Sequence, residues 1–331
     1  MQHSKFKKVI VWGYPLYSHT HSFVHYGWYK AFKSLGYETH WFNDNDYPKD
    51  FDYSESLFIG EGYADQNIPL LASSTYAIHM AHNPGKYVAS GCRLIDVRFN
   101  VFKTRDYTYN YSMVDASLAK IDDVTFYEEK ASDRALSERL QKGVSGYEAL
   151  YMIWATDMLP DEFNFEDVRI PRKRVVNHVG SVWSANQKEF AEFRDSLVRY
   201  NVQLVAHDPW LQVTTNEVAK TLVQESFIAP DIRGSGATSG ETTSEESNHL
   251  TNGYIPCRIF KNISYGQLGI TNSPAVNNLM PEYVVFSSDV YRLIGCSIPY
   301  RENFKRMQDA MKYVQRHHTY VNRINSLLAV L

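Results

Sequence analysis

Side chains that handle protons stand at the ends of apolar runs in this chain. Residues 8–13, KVIVWG, form a continuous β-branched run bounded by Gly13 and Pro15, and the polar loop that follows carries His19 and His21. Glu61 and His82 follow the runs at 56–59 and 76–80. An imidazole titrates near neutral pH and can take a proton from a hydroxyl, as can a carboxylate. His21 and His19 are the leading candidates for a general base, with Glu61 and His82 after them. The plain alternative for each is a hydrogen-bonded structural residue or a surface residue.

A second set is basic. In residues 253–273, GYIPCRIFKNISYGQLGITNS, Pro256 suits the first turn of a helix, and Ile259 and Ile263 make an apolar stripe with Phe260 beside it. Gly266 offers a left-handed stop before a short apolar run at 268–271. Arg258 and Lys261 fall in the first turns, where free backbone N–H groups and the helix dipole favour an anion such as phosphate. An ordinary amphipathic helix with solvated basic residues fits the same letters.

Both sets need elements to hold them. The strand at 8–13, a helix at 23–35 capped by Ser22 and stopped at Gly36, and a strand at 37–42 make a βαβ unit. That unit puts the His19–His21 loop at the C-terminal edge of the first strand, where open parallel sheets bind ligands. No GxGxxG follows the strand, which argues against a dehydrogenase. A strand-like run at 94–101 is followed by a Tyr-rich segment at 106–115 and an exposed helix at 132–142. Pro and charge concentrate at 157–170, where the chain divides. The pattern then restarts: a strand at 174–180 ending in Gly180 and Ser181, an amphipathic helix at 186–200 and a strand at 203–207. Arg233 precedes the stretch 234–253, which has too few apolar residues to fold alone and reads as a lid or a solvated insertion. A strand at 281–289, a helix at 290–296 and one long helix from 301 complete the chain. The expected class is α/β, with domains at 1–165 and 166–300 and a closing helix at 301–331.

The stretch 253–273 resembles the donor-binding segment of GT-B glycosyltransferases, in the form found in spore-maturation-protein-like members of the group 1 type. There the pattern is Gly-x-x-x-Arg-x-Phe-Glu, four further residues and Gly, followed by a short strand. Arg258, Phe260 and Gly266 fall on it, while Lys261 stands where the family has a Glu that commonly holds the ribose. Residues 313–328 are similar to the family's closing helix through His318, Thr319, Arg323, Leu327 and Leu328. The matches cover roughly the last quarter of the chain.

The resemblance implies two Rossmann-like domains facing a central cleft, with the last helix crossing back to the first domain. It implies a nucleotide-sugar donor, UDP- or GDP-linked, as co-substrate. Gly180, Ser181, Arg233, Pro256, Arg258, Phe260, Lys261 and Asn262 would hold the donor; Lys261 would reach a phosphate or carboxylate, or Asn262 would take the hydroxyl contact. A hexosyl or deoxyhexosyl group would pass to a glycan or glycoconjugate acceptor, with His21, His19 or Glu61 as base and no metal. Asp44-Asn-Asp46 spells DxD, but the two-domain pattern is not that of a metal-dependent GT-A enzyme, so it reads as a loop or an acceptor contact. His19-x-His21 and His317-His318 lack a third metal ligand at useful spacing. Two rivals stand beside this reading: a nucleotide-sugar epimerase, for which Glu61 is the clear carboxylate, and a non-catalytic glycan- or nucleotide-binding protein, which the Glu-to-Lys departure at Lys261 favours.

Composition sets the outer bounds. The chain has 331 residues, 44% of them apolar, which suits two cores. A net charge of −3 gives no basic field for nucleic acid. The 24 tyrosines suit sugar faces, though a Tyr-rich core edge is the commoner cause. Cys92, Cys257 and Cys296 cannot all pair, which fits a reducing compartment. No apolar run is long enough to span a membrane, and the start of the chain lacks a signal-peptide pattern, so a cytoplasmic location is expected.

Overall fold

The computed structural model describes residues 6–98, 147–182, 186–208, 211–236, 249–250 and 254–331. The Tyr-rich segment at 106–115, the helix expected at 132–142 and most of the 234–253 stretch lie outside the described residues.

The first part of the chain is a parallel α/β sheet. Strands β1 (Lys8–Trp12), β2 (Thr39–Phe42), β3 (Ser56–Glu61), β4 (Thr75–His79), β5 (Arg93–Arg98) and β6 (Tyr147–Tyr151) lie in the order β2-β1-β3-β4-β5-β6, every pair parallel. The sheet is Rossmann-like. β1 is buried along its whole length, because side chains that alternate across a strand meet a core on each face. Val9, Val11, Leu57 and Ile59 face one core; Ile10, Trp12, Phe58 and Tyr76 face the other. Lys8 reaches out of the sheet to the backbone and carboxylate of Asp52.

Helix α1 (Ser22–Ser34) joins β1 to β2 and lays Val24, Trp28 and Phe32 on the first core. Its N-cap is His21, not Ser22. Ser22 is the first residue inside the helix, and its Oγ accepts from Tyr17 N at 3.0 Å. Gly36, at φ +83, turns the chain out of the helix as expected. The turn expected at 83–85 opens a short helix, α2 (Pro84–Ala89), with Pro84 in its first turn.

The later part repeats the alternation. β7 (Val175–Val179), α3 (Gln187–Val198) and β8 (Gln203–His207) form a parallel unit, followed by α4 (Asn216–Gln224). α5 (Cys257–Ser264), β9 (Gly269–Thr271), α6 (Pro274–Leu279) and β10 (Val284–Phe286) form another. An extended segment lies between the two pairs: Phe227 N donates to Val175 O, and Asp231 N to Ile270 O. Gly266 takes φ +89 after α5, where a side chain would meet the carbonyl of Asp167. A separate apolar core, built on Phe193, Ile259, Ile263 and Leu293 with others, fills this part.

After α7 (Val290–Ser297) the chain ends in two helices rather than one. α8 (Phe304–His317) stops at His318, and α9 (Tyr320–Val330) restarts with Thr319 as its N-cap in a capping box with Asn322. The break redirects the chain: α8 packs in the later core, while α9 places Tyr320, Ile324 and Leu327 in the core of the first sheet and lies against α1. No helix among the described residues is long and apolar enough to cross a membrane.

Candidate functional site

In the strand order β2-β1-β3 the chain reverses direction between β1 and β3, and in open parallel sheets ligands bind outside the strand ends at that reversal. Trp12 is in register with Gly60, so the loop leaving β1 and the end of β3 lie side by side. Three of the proton-handling residues meet there. His21 Nδ1 lies 2.5 Å from Glu61 Oε1. His21 N donates to His19 Nδ1 at 3.0 Å, and the two rings stand edge to face.

These contacts sort the histidines. With Nδ1 engaged by Glu61, the Nε2 of a neutral His21 is left as the basic nitrogen, and its side chain is 28% exposed. His19 already accepts a backbone proton at Nδ1. Burial and the nearby charge of His21 lower its pKa to about 4, which makes it a poor base near neutral pH. Burial pushes the Glu61 carboxyl up, but the His21 hydrogen bond and the closeness of the His21 and His25 rings outweigh that and hold it well below the usual carboxylate range. The His82 ring lies 3.7 Å from that of Tyr63.

Two further histidines line the same place. His25 is wholly buried in α1, with Nε2 3.4 Å from Glu61 Oε2, a charge contact without an aligned hydrogen bond. Gly13 makes room for it: a Cβ there would lie 2.2 Å from the His25 ring. His79 ends β4 opposite Glu61, and neither of its ring nitrogens has a hydrogen-bond partner among the described residues. Burial lowers its pKa to about 3, so it is neutral. The signal for both was a polar residue on a buried stripe, beside Val24 and Trp28 in one case and at the end of TYAIH in the other.

The basic residues gather at a second edge. Arg258, in the first turn of α5, directs Nη2 at Val179 O, 3.4 Å away at the end of β7. Gly180 follows at φ +130, and a Cβ there would lie 2.3 Å from the Arg258 guanidinium, so only glycine admits the arginine. Arg233 is 5% exposed, with Nη2 2.7 Å from Asp231 Oδ1 and its backbone N bonded to Asn272 Oδ1 at 2.7 Å. Burial and the charges of Arg258 and Arg233 push His178 well below its usual range. A cavity of about 20 Å³, room for one water, lies between His178, Arg258, Asn262 and Ala229. Ser181 Oγ, Ser235 Oγ, His178 Nε2 and Arg233 Nε are buried with no hydrogen-bond partner among the described residues. Buried polar atoms normally have one; Glu189 Oε2 and the Asp231 carboxylate, which pairs with Arg233, are also without a hydrogen-bond partner among the described residues.

The other expected donor residues make contacts within the chain. Pro256 is the buried N-cap of α5. Asn262 holds the extended segment by donating to Ala229 O at 2.7 Å. Phe260 is wholly buried, stacked on His318 with centroids 4.5 Å apart. Lys261 Nζ lies 3.2 Å from Asp157 Oδ2 and 4.6 Å from the centre of the Phe23 ring. Asp157 also accepts from the Tyr265 hydroxyl at 2.8 Å. Lys261 therefore braces α5 against the first turn of α1, two residues from His21. Asp44, the first residue of the DxD letters, is a staple that accepts from Trp12 Nε1, Gln66 N and Asn67 N, each at 2.9 Å. Among the described residues no group of three or more His, Cys, Asp or Glu is arranged to hold a metal ion.

No protein-family model matches the chain, and no curated protein matches it in sequence.

Proposed function

We propose that the protein is a glycosyltransferase that moves a hexosyl or deoxyhexosyl group from a UDP- or GDP-linked sugar to a hydroxyl of a glycan or glycoconjugate. The observation that carries this reading is the cluster at the end of β7. Arg258 and Arg233, a glycine that admits one of them, and the buried Ser181, Ser235 and His178, each with a polar atom that has no hydrogen-bond partner among the described residues, are found there. A diphosphate leaving group needs this kind of fixed positive charge in a place that excludes water. The second support is the His21–Glu61 pair, beside which α5 is braced through Lys261 and Phe23. In this mechanism Glu61 orients His21, His21 Nε2 takes the acceptor proton, and the arginines take up the charge that builds on the departing diphosphate.

A thermal-shift panel of UDP, GDP, ADP, CMP and dTDP, with and without Mg²⁺, tests it. A ligand that binds only the folded state adds about 2.7 kcal/mol at a hundredfold excess over its dissociation constant. One nucleotide that stabilises without Mg²⁺ supports the reading and identifies the base; a flat panel removes it.

Lys261 favours a second reading, a non-catalytic nucleotide- or glycan-binding protein. The residue at the family's ribose-holding position is tied to Asp157. Nucleotide binding without sugar transfer or hydrolysis of the donor would select it. The epimerase reading finds one carboxylate, Glu61, at the histidine cluster, where acid–base chemistry on both faces of a sugar needs a further group.

A further inference from the structure

Next to the His21–Glu61 pair the chain builds two aromatic surfaces by the same device. After β1, Gly13 lets the strand end close on His25, and the next residue, Tyr14, stacks on His19 with centroids 3.9 Å apart and planes at 20°. After β3, Gly62 comes so close to the next loop that a Cβ would lie 2.0 Å from Met80 O and 2.7 Å from His82 N. The residue after it, Tyr63, is held with its ring 3.7 Å from that of His82. The turn is closed by Ala64 N on Glu61 O at 2.9 Å and Gly62 N on His79 O at 2.9 Å. Tyr14 is within electrostatic reach of both Glu61 and Tyr63.

Tyr63 is 62% exposed, a large ring that burial does not account for, on a turn fixed by close backbone contacts. A ring fixed in advance loses little entropy when a ligand covers it. It offers a flat apolar face with the His82 imidazole beside it. A pyranose has the matching surface: a C–H face to lie on the ring and hydroxyls at its edge. We infer that Tyr63, supported by His82 and flanked by the Tyr14–His19 stack, is the platform on which the sugar of a carbohydrate acceptor rests, so that its hydroxyl reaches His21. This inference rests on the glycosyltransferase reading and narrows it, because it makes the acceptor a pyranoside rather than a lipid or protein hydroxyl.

The test is saturation-transfer NMR on the full chain with the methyl glycosides of glucose, galactose, mannose and N-acetylglucosamine, with glycerol as a hydroxyl-only control. At least one glycoside should receive saturation through its ring C–H protons while glycerol does not. Tyr63→Ala should weaken that signal at least about threefold, and Tyr63→Phe, which keeps the face, should retain it. Tyr63 is exposed, so neither change threatens folding, and a thermal melt checks this. No transfer to any glycoside, or equal transfer in wild type and Tyr63→Ala, overturns the platform. The nucleotide panel is read on the same preparation. A responding nucleotide with silent glycosides keeps the glycosyltransferase and removes the platform; Tyr63-dependent glycoside binding with a flat nucleotide panel removes the glycosyltransferase and overturns the acceptor role, leaving Tyr63 as a sugar-binding surface only.

Discussion

Phe260 lies flat against His318, centroids 4.5 Å apart and planes 20° apart, so two stretches nearly sixty residues apart in the chain meet ring to ring. Arg323 completes the contact. Its guanidinium lies 5.9 Å from the Phe260 ring and donates to the carbonyls of Ile153, Trp154 and His317, each at 2.9 Å. It also meets His318 Nδ1 at 3.1 Å. Three of the residues that carry the resemblance, Phe260, His318 and Arg323, thus form one buried joint, and packing alone accounts for their pattern.

Arg323→Met should therefore cost stability rather than binding. It leaves three carbonyls without their donor, and a buried unsatisfied group costs about 1–3 kcal/mol. Urea denaturation should report a loss of about 3 kcal/mol or more, and Arg323→Lys should recover little, since one ammonium cannot match the fork.

Arg258→Ala should abolish the stabilisation that the responding nucleotide gives while leaving the melting temperature without ligand within a few degrees. Gly180→Ala should lose the same response by a different route, because its Cβ takes the place of the guanidinium at a φ of +130. A variant at either position that binds nucleotide normally would place the phosphate elsewhere.

His21→Ala and Glu61→Gln should spare nucleotide binding and lower turnover, by about 10²- to 10⁴-fold for a lost general base. His19→Ala should cost less, since His19 Nδ1 is already occupied by the backbone. Single-turnover assays with the donor identified by the panel separate these cases.

Acid should unfold the protein in two stages. His79 has its pKa lowered to about 3 by burial, against about 6.5 in an unfolded chain. Between those values the unfolded state binds the extra proton, so stability falls as pH drops from about 6.5 toward 3. Glu61, depressed below its unfolded value of about 4.3, adds stability above that pH that is lost as pH falls further. His79→Phe should flatten the upper stage. At neutral pH it should be neutral or stabilising, because neither nitrogen of His79 has a hydrogen-bond partner among the described residues. Melting temperatures from pH 8 to 4 check both claims.

Gly27→Ala should destabilise, against helix propensity. Alanine gains about 1 kcal/mol over glycine inside a helix. At Gly27, however, a Cβ would lie 2.3 Å from the Tyr320 ring, and overpacking costs about 1–3 kcal/mol. A denaturant midpoint above that of wild type would contradict the tight α1–α9 contact.

Five strands of the first sheet were legible as short apolar runs bounded by turn residues, and β8 falls on the expected residues, 203–207, whereas β6, YEALY, has no β-branched residue to mark it. The helix-stop glycines at 36 and 266 were legible because only a left-handed residue ends those turns without strain. The break at His318–Thr319 was not, since 301–331 keeps helical periodicity throughout and only Thr319 with Asn322 marks a new start. At the site, residues that pattern can place at strand ends, Glu61 and His21, came together. His25 and His79 were missed because their neighbours are apolar and periodicity reads them as core. The carboxylate that Lys261 reaches was not legible either: Asp157 lies 104 positions earlier, in a stretch that looked like a boundary.

The position of α9 bears on how this chain comes off the ribosome. Strands β1 to β5 emerge early, and α1 covers part of one face of their sheet, but that core is completed only when Tyr320, Ile324 and Leu327 arrive more than two hundred residues later. During synthesis that apolar face must wait, collapsed on itself or covered by a chaperone, and a chain released short of residue 320 would be prone to aggregate rather than merely less active.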